Sequence, residues 1–159
     1  MSPSNTKLLK PLERNEAVVS ARHALGHVVA WVRFNARQLA RRPLADGFQP
    51  AALHEYADAD GCPLFWRVRL RKPETGEKWI RPLRRLDGGG FDLKQPQFPD
   101  GAPLYRLPDL AAQSDVTVWI VEGESCADAL ASLGLVATTS GGADSAGRAD
   151  WSPLAGRAV

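Results

Sequence analysis

Hydrophobic residues recur along this chain with two different periods. From Asn15 to Arg42, Val18, Val19, Leu25, Val28, Val29, Val32 and Leu39 return at threes and fours. That spacing predicts an amphipathic helix, capped by Asn15, weakened at Gly26 and stopped by Pro43. The polar stretch 1–12, broken by Pro3 and Pro11, predicts a loose arm ahead of it. After a linker from Ala45 to Pro50 the period falls to two. Leu53 to Ala57, Leu64 to Arg71 and Lys78 to Leu83 predict three strands, joined by tight turns at Asp58–Gly61 and Pro73–Gly76. The result is a three-stranded antiparallel meander. In its middle strand Leu64, Trp66, Val68 and Leu70 face one way, and Phe65, Arg67, Arg69 and Arg71 the other.

Leu86 to Ala102 is rich in Gly and Pro and predicts a long irregular connection carrying Lys94. Leu104 to Leu107 reads as a short strand or turn, and Pro108 to Ala112 as one helical turn. Val116 to Val121 is then a strand of β-forming residues that ends on Glu122-Gly123-Glu124. A helix follows from Ser125 to Leu133, closed by Gly134, and a second apolar strand runs from Leu135 to Thr139. This β-α-β order predicts two parallel strands with a right-handed crossover. It delivers Glu122 to the carboxyl end of a buried strand, where open α/β sheets build their sites. Ser140-Gly141-Gly142-Ala143 falls on the same rim, and its glycines allow close backbone approach to a ligand. Arg157-Ala158-Val159 reads as the start of another strand.

The fold class expected is therefore α+β. Residues 1–46 form an arm and helix, 47–112 a subdomain built on the antiparallel sheet, and 113–159 a partial α/β unit.

Charge changes this picture more than composition does. The chain has 159 residues and a net charge of +2. Residues 1–50 carry eight Lys/Arg against three Asp/Glu, residues 51–109 ten against nine, and residues 110–159 two against six. A basic front and an acidic back suit a protein that holds a polyanion with one part and a cation with the other. Three arginines on one face of one strand repel each other unless something anionic lies across them. Phosphate backbones are one such partner, and a solvated sheet face is the plain alternative. His23 and His27 have the i, i+4 spacing of metal ligands but no acidic HExxH partner, and read as helix-surface residues. Cys62 and Cys126 form no CxxC pair, and Cys126 reads as a small buried apolar residue. The absence of a long apolar run argues against a membrane span, and the N-terminus lacks a secretory layout, so a cytoplasmic location is expected.

At Val121-Glu122-Gly123-Glu124, followed by Ala127-Asp128-Ala129-Leu130, the chain resembles a Toprim domain. The subtype resembles the primases and primase–helicases of phages, plasmids and integrated elements. The upstream Asp-x-Asp-Gly turn, the arginine-bearing strand, Lys78-Trp79 and Leu104-Tyr105-Arg106-Leu107 resemble the N-terminal subdomain of the primase polymerase core. The resemblance implies Mg²⁺-dependent nucleotidyl transfer that makes RNA primers on single-stranded DNA from nucleoside triphosphates. It implies Glu122 as general acid/base or metal-linked carboxylate, with Gly123, Gly141 and Gly142 as rim loops. It also implies Arg67, Arg69, Lys78, Arg81 and Arg106 as nucleic-acid or nucleotide contacts, with a helicase module or full-length relative as partner.

The chain departs from that pattern at three places. Cys126 stands where many relatives have an acid, with Asp128 the nearest substitute. The strand expected to end in the metal-binding Asp-x-Asp begins at Arg157, and the sequence ends at Val159. The zinc-binding segment usual upstream is missing. With Glu122 as an incomplete metal site, the expectation is an inactive chain on its own. A non-catalytic module for single-stranded nucleic acid, and a degenerate fragment without function, stay open as alternatives.

Overall fold

The computed structural model describes residues 29–159. His23 and His27, the N-terminal arm and the start of the first helix lie outside them. Helix α1 covers 29–39 of the described residues and breaks at Ala40. A second helix, α2 (Arg41–Ala45), then contains Pro43 instead of ending before it. Restarting the helix puts Pro43 in a first turn, where its missing N–H has no intrahelical partner to lose. Gly47 closes α2 at φ +88°. Its N–H bonds Leu44 and the Phe48 N–H bonds Pro43, the paired bonds of a glycine-terminated helix.

A four-stranded antiparallel sheet follows in the order β1 (Gln49–Ala57), β2 (Pro63–Arg71), β3 (Lys78–Arg85) and β4 (Phe91–Asp92). Two features differ from the sequence expectation. β1 starts at Gln49, inside the expected linker, because Gln49 and Pro50 still pair with Arg71 and Leu70 across a bulge. An edge strand tolerates Pro50 there. The short β4 comes from the expected irregular connection. It buries Phe91 and lets Arg84 grip Asp92 with Nε to Oδ1 at 2.7 Å and Nη2 to Oδ2 at 3.1 Å.

One face of this sheet packs Trp66, Val68, Leu70, Leu83 and Phe91 against Val32, Ala36 and Ala40 of the N-terminal helical segment. The other face is covered too. Phe65 and Tyr56 form a second cluster with Tyr105, Ala127 and Ala137. Leu64 joins that second cluster, not the Trp66 face where alternation alone would put it.

The covering layer is the parallel unit: α3 (Leu107–Ala112), β5 (Val118–Ile120), α4 (Glu124–Ser132) and β6 (Val136–Thr138), with β5 and β6 paired in parallel. Two 3₁₀ turns, Ala143–Arg148 and Ser152–Leu154, complete it. A third cluster of Leu104, Leu110, Val118 and Val136 fills its inner side. Arg157–Val159 form no strand, but the Val118 N–H donates to the Ala158 carbonyl at 2.9 Å. The fold is thus mixed α+β, a four-stranded antiparallel sheet beside a two-stranded parallel one. Among the described residues no helix is long and apolar enough to cross a membrane.

Candidate functional site

Two glutamates two residues apart have opposite fates. Glu122 follows β5 and is exposed at its carboxyl end. Its carbonyl accepts a hydrogen bond from Thr139 Oγ1 at 3.0 Å, which ties the ends of both parallel strands together. Gly123 is extended and caps α4. Glu124 opens α4 and turns inward, where it is only 5% exposed. Its Oε1 accepts from Tyr56 Oη at 2.8 Å and from Arg67 Nη1 at 2.7 Å. The same Arg67 Nη1 donates to the Gly141 carbonyl. A buried carboxylate is stable only when paired and hydrogen-bonded, and here both partners come from the antiparallel sheet. The anion lying across the arginine face of β2 is thus partly the chain's own.

A second polar group sits beside the first. Tyr105 Oη donates to the Asp128 carboxylate at 3.0 Å, and Arg106 Nη1 reaches Asp128 at 3.1 Å. His54 Nδ1 lies 3.3 Å from Asp128, while its Nε2 is buried with no hydrogen-bond partner among the described residues. Arg106 adopts a left-handed backbone, φ +61°, held by a further ion pair to Asp109. Burial, and after it the Glu124 carboxylate, push the Tyr56 hydroxyl well above the usual tyrosine range. Burial and then Asp128 do the same to Tyr105.

The five basic residues singled out by sequence separate into three groups. Arg67 and Arg106 are held in the ion pairs above. Arg69 Nη1 donates to Ser125 Oγ at 3.1 Å, so its guanidinium lies at the first turn of α4, close in sequence to Glu122. Lys78 is exposed and pairs across the sheet with Arg71, two residues along the same face from Arg69. Arg81 pairs with Val68 and so belongs to the opposite face, where its guanidinium lies 5.4 Å from the centre of the Trp79 ring. On this face Arg71 and Lys78 are exposed, and Arg69 is half-buried at the first turn of α4. Arg71 was legible as the next alternate position after Arg67 and Arg69.

A cleft of about 390 Å³ opens between the sheet and the loop after β6. Phe65, Arg67, Phe98, Ser140, Ser145 and Arg148 line it. Gly141, next to Ser140, takes φ +96°, and a Cβ there would collide with the Arg67 guanidinium. Gly142 continues the loop at φ +143°. Nothing in the periodicity pointed to Arg148, Ser145 or Phe98, because Phe98 comes from an irregular segment and the other two from a short 3₁₀ turn.

The residues present do not fit a Mg²⁺ site. Glu124 is committed to Arg67 and Tyr56, and Asp128 to Arg106 and Tyr105, so that of the three acids at 122–128 only Glu122 has no side-chain partner among the described residues. Among the described residues no group of three or more His, Cys, Asp or Glu is gathered to hold a metal. Cys126 is exposed and free, contrary to the buried position expected of it. α4 turns Ala127, not Cys126, into the core. No family model matches the chain, and no curated protein or solved structure matches it.

Proposed function

We propose that this chain is part of a Toprim-type primase, binding single-stranded DNA along Arg69, Arg71 and Lys78 and presenting Glu122 to the nucleotide end of that strand. One observation carries the reading. The Glu122 carboxylate is exposed just before α4, whose first turn Arg69 reaches at Ser125, and Arg69 shares its sheet face with the exposed Arg71 and Lys78. Phosphates attract such a row, and their spacing along an extended strand suits cations on alternate residues. The adjoining cleft, with arginines and hydroxyls beside Phe65 and Phe98, would take a nucleotide. Nucleotidyl transfer is the activity of the resembled family. In it this chain supplies Glu122, and the carboxylates that hold Mg²⁺ would have to come from elsewhere. The setting would be replication of a mobile element in the cytoplasm, beside a helicase module or a full-length relative.

A labelled oligonucleotide titrated at several salt concentrations tests the binding half. Three phosphate contacts predict a log–log salt slope of about −2. Arg69→Glu with Lys78→Glu should abolish that slope, while a wild-type slope near zero contradicts the proposal.

A second reading is favoured by the commitment of Glu124 and Asp128 to ion pairs. The chain would then bind single strands without chemistry. DNA binding by the 159-residue chain, with no primer made from nucleoside triphosphates and Mg²⁺, fits both this reading and an incomplete polymerase. Robust primer synthesis excludes it.

A further inference from the structure

Arg81 has no place beside Arg69, Arg71 and Lys78, because it lies on the helix side of the sheet. It is not alone there. Two indole rings on that side each carry a guanidinium. Arg81 lies 5.4 Å from the centre of the Trp79 ring, and Arg85 lies 5.7 Å from that of Trp31. Trp31 meets Phe91 edge to face, with ring centres 4.8 Å apart, and is 43% exposed. Val32, Ala36 and Ala40 pack on the middle of this side, and leave Trp79 half-buried and Arg81 and Arg85 exposed. Residues 29–45 and 78–85, which supply both rings and both guanidiniums, contain no Asp or Glu. Of the acids that flank β3, Glu77 pairs with Lys72 and Asp92 with Arg84, whose side chain belongs to the other face. Asp87, in the turn after β3, also acts on Arg84.

We propose that a single strand held at Arg69, Arg71 and Lys78 passes over the edge of β3 and continues along Trp79, Arg81, Arg85 and Trp31 on the helix side. The inference rests on the function proposed above and adds a second half to its binding surface. The edge is open to such a path. β4 pairs with β3 only at Arg84 and Arg85, so Lys78 to Leu83 have no strand on that side among the described residues. Lys78 and Trp79 are neighbours on opposite faces, which puts the last cation of one side next to the first ring of the other. Arg81 Nη1 donates to the Ile80 carbonyl at 2.8 Å, which keeps its guanidinium close to the strand backbone. The chemistry matches an unpaired polynucleotide. Its bases stack on indoles and on guanidinium planes. A guanidinium held over a ring still has N–H donors for phosphate. Arg81 and Arg85, four residues apart on one strand, are separated by about 13 Å, room for more than one nucleotide between them. A duplex keeps its bases inside the stack, where indoles cannot reach them.

Oligothymidines of about 6 and about 30 nucleotides, each titrated at several salt concentrations, test this. The short strand covers the first side alone, and the long one reaches both. For wild type the log–log salt slope should be steeper by about 1.4 on the long strand, as two further phosphates are met. Arg81→Glu with Arg85→Glu should bind the short strand as wild type does. On the long strand it should lose the added slope and about tenfold in affinity. Trp31→Ala should weaken the long strand by about tenfold and leave the slope in place, since it removes stacking and no charge. Circular dichroism of both variants should match wild type. Equal slopes at the two lengths, or wild-type binding of the long strand by the double variant, overturn the proposal and leave the first surface standing. No binding of either strand contradicts both. Loss of binding to anionic vesicles in the double variant, with DNA binding unchanged, makes the helix side a membrane surface and overturns the proposal as well.

Discussion

The antiparallel sheet and the parallel unit are held together in different ways. Three of the sheet's four strands are eight or nine residues long, and both of its faces are covered. The parallel unit has two strands of three residues each, and Trp119 and Ile120 of β5 remain half exposed. A parallel pair that short is not stable alone, because such sheets need cover on both sides. Its attachment to the larger sheet supplies much of what it lacks. That attachment is partly apolar, through Tyr56, Phe65, Ala127 and Ala137, and partly ionic, through Glu124 on Arg67 and Tyr56. The contrast separates the two glutamates. Glu124 belongs to the joint between the regions, and Glu122 is left free at the rim.

The contrast breaks most directly at the joint. Arg67→Ala leaves Glu124 buried without its cation, and should destabilise the chain by about 3–5 kcal/mol in urea unfolding. The loss should fall first on amide protection in α4 and β6, with β2 and β3 retained longer. Gly141→Ala should cost about 2–3 kcal/mol, since the new methyl meets Arg67 and a non-glycine residue at φ +96° is strained.

The tyrosines sharpen the comparison through pH. The chain has two, Tyr56 and Tyr105, and both lie in the joint. Burial raises each above its unfolded value of about 10. A raised folded value means stability that is complete below the unfolded pKa and lost as pH rises through and beyond it. Phenolate absorbance should therefore stay flat through about pH 10, then rise together with loss of structure. Ordinary titration near pH 10 in the folded protein would show that the joint is open to water. The smallest effect is expected at the rim. Glu122→Gln removes no contact of its carboxylate, and should shift stability by less than about 0.5 kcal/mol.

The core of β1, β2, β3, their tight turns and the parallel β-α-β unit were legible from period and turn chemistry, because each is specified by neighbours in sequence, whereas β4 and the start of β1 were not. What was not legible depends on partners far along the chain. Arg67 and Arg69 read as a face awaiting a phosphate, since nothing local shows that Glu124, 57 residues later, folds onto it. Glu122 and Glu124 look interchangeable in sequence, and one turn of backbone at Gly123 decides which is buried. Pro43 read as a helix stop because the break at Ala40 that re-registers the helix leaves no mark in the pattern. Cys126 read as core because only the rotation of α4 tells it from Ala127.

The central claim is that Glu124 and Arg67 hold the two regions together while Glu122 takes no part. A double-mutant cycle between Arg67→Met and Glu124→Gln, followed by urea unfolding, tests it. A paired buried joint predicts a coupling energy of about 2–3 kcal/mol, whereas Glu122→Gln in place of Glu124→Gln should couple by less than about 0.5 kcal/mol. Additive effects of Arg67→Met and Glu124→Gln, or equal coupling of Arg67 to both glutamates, would contradict the account.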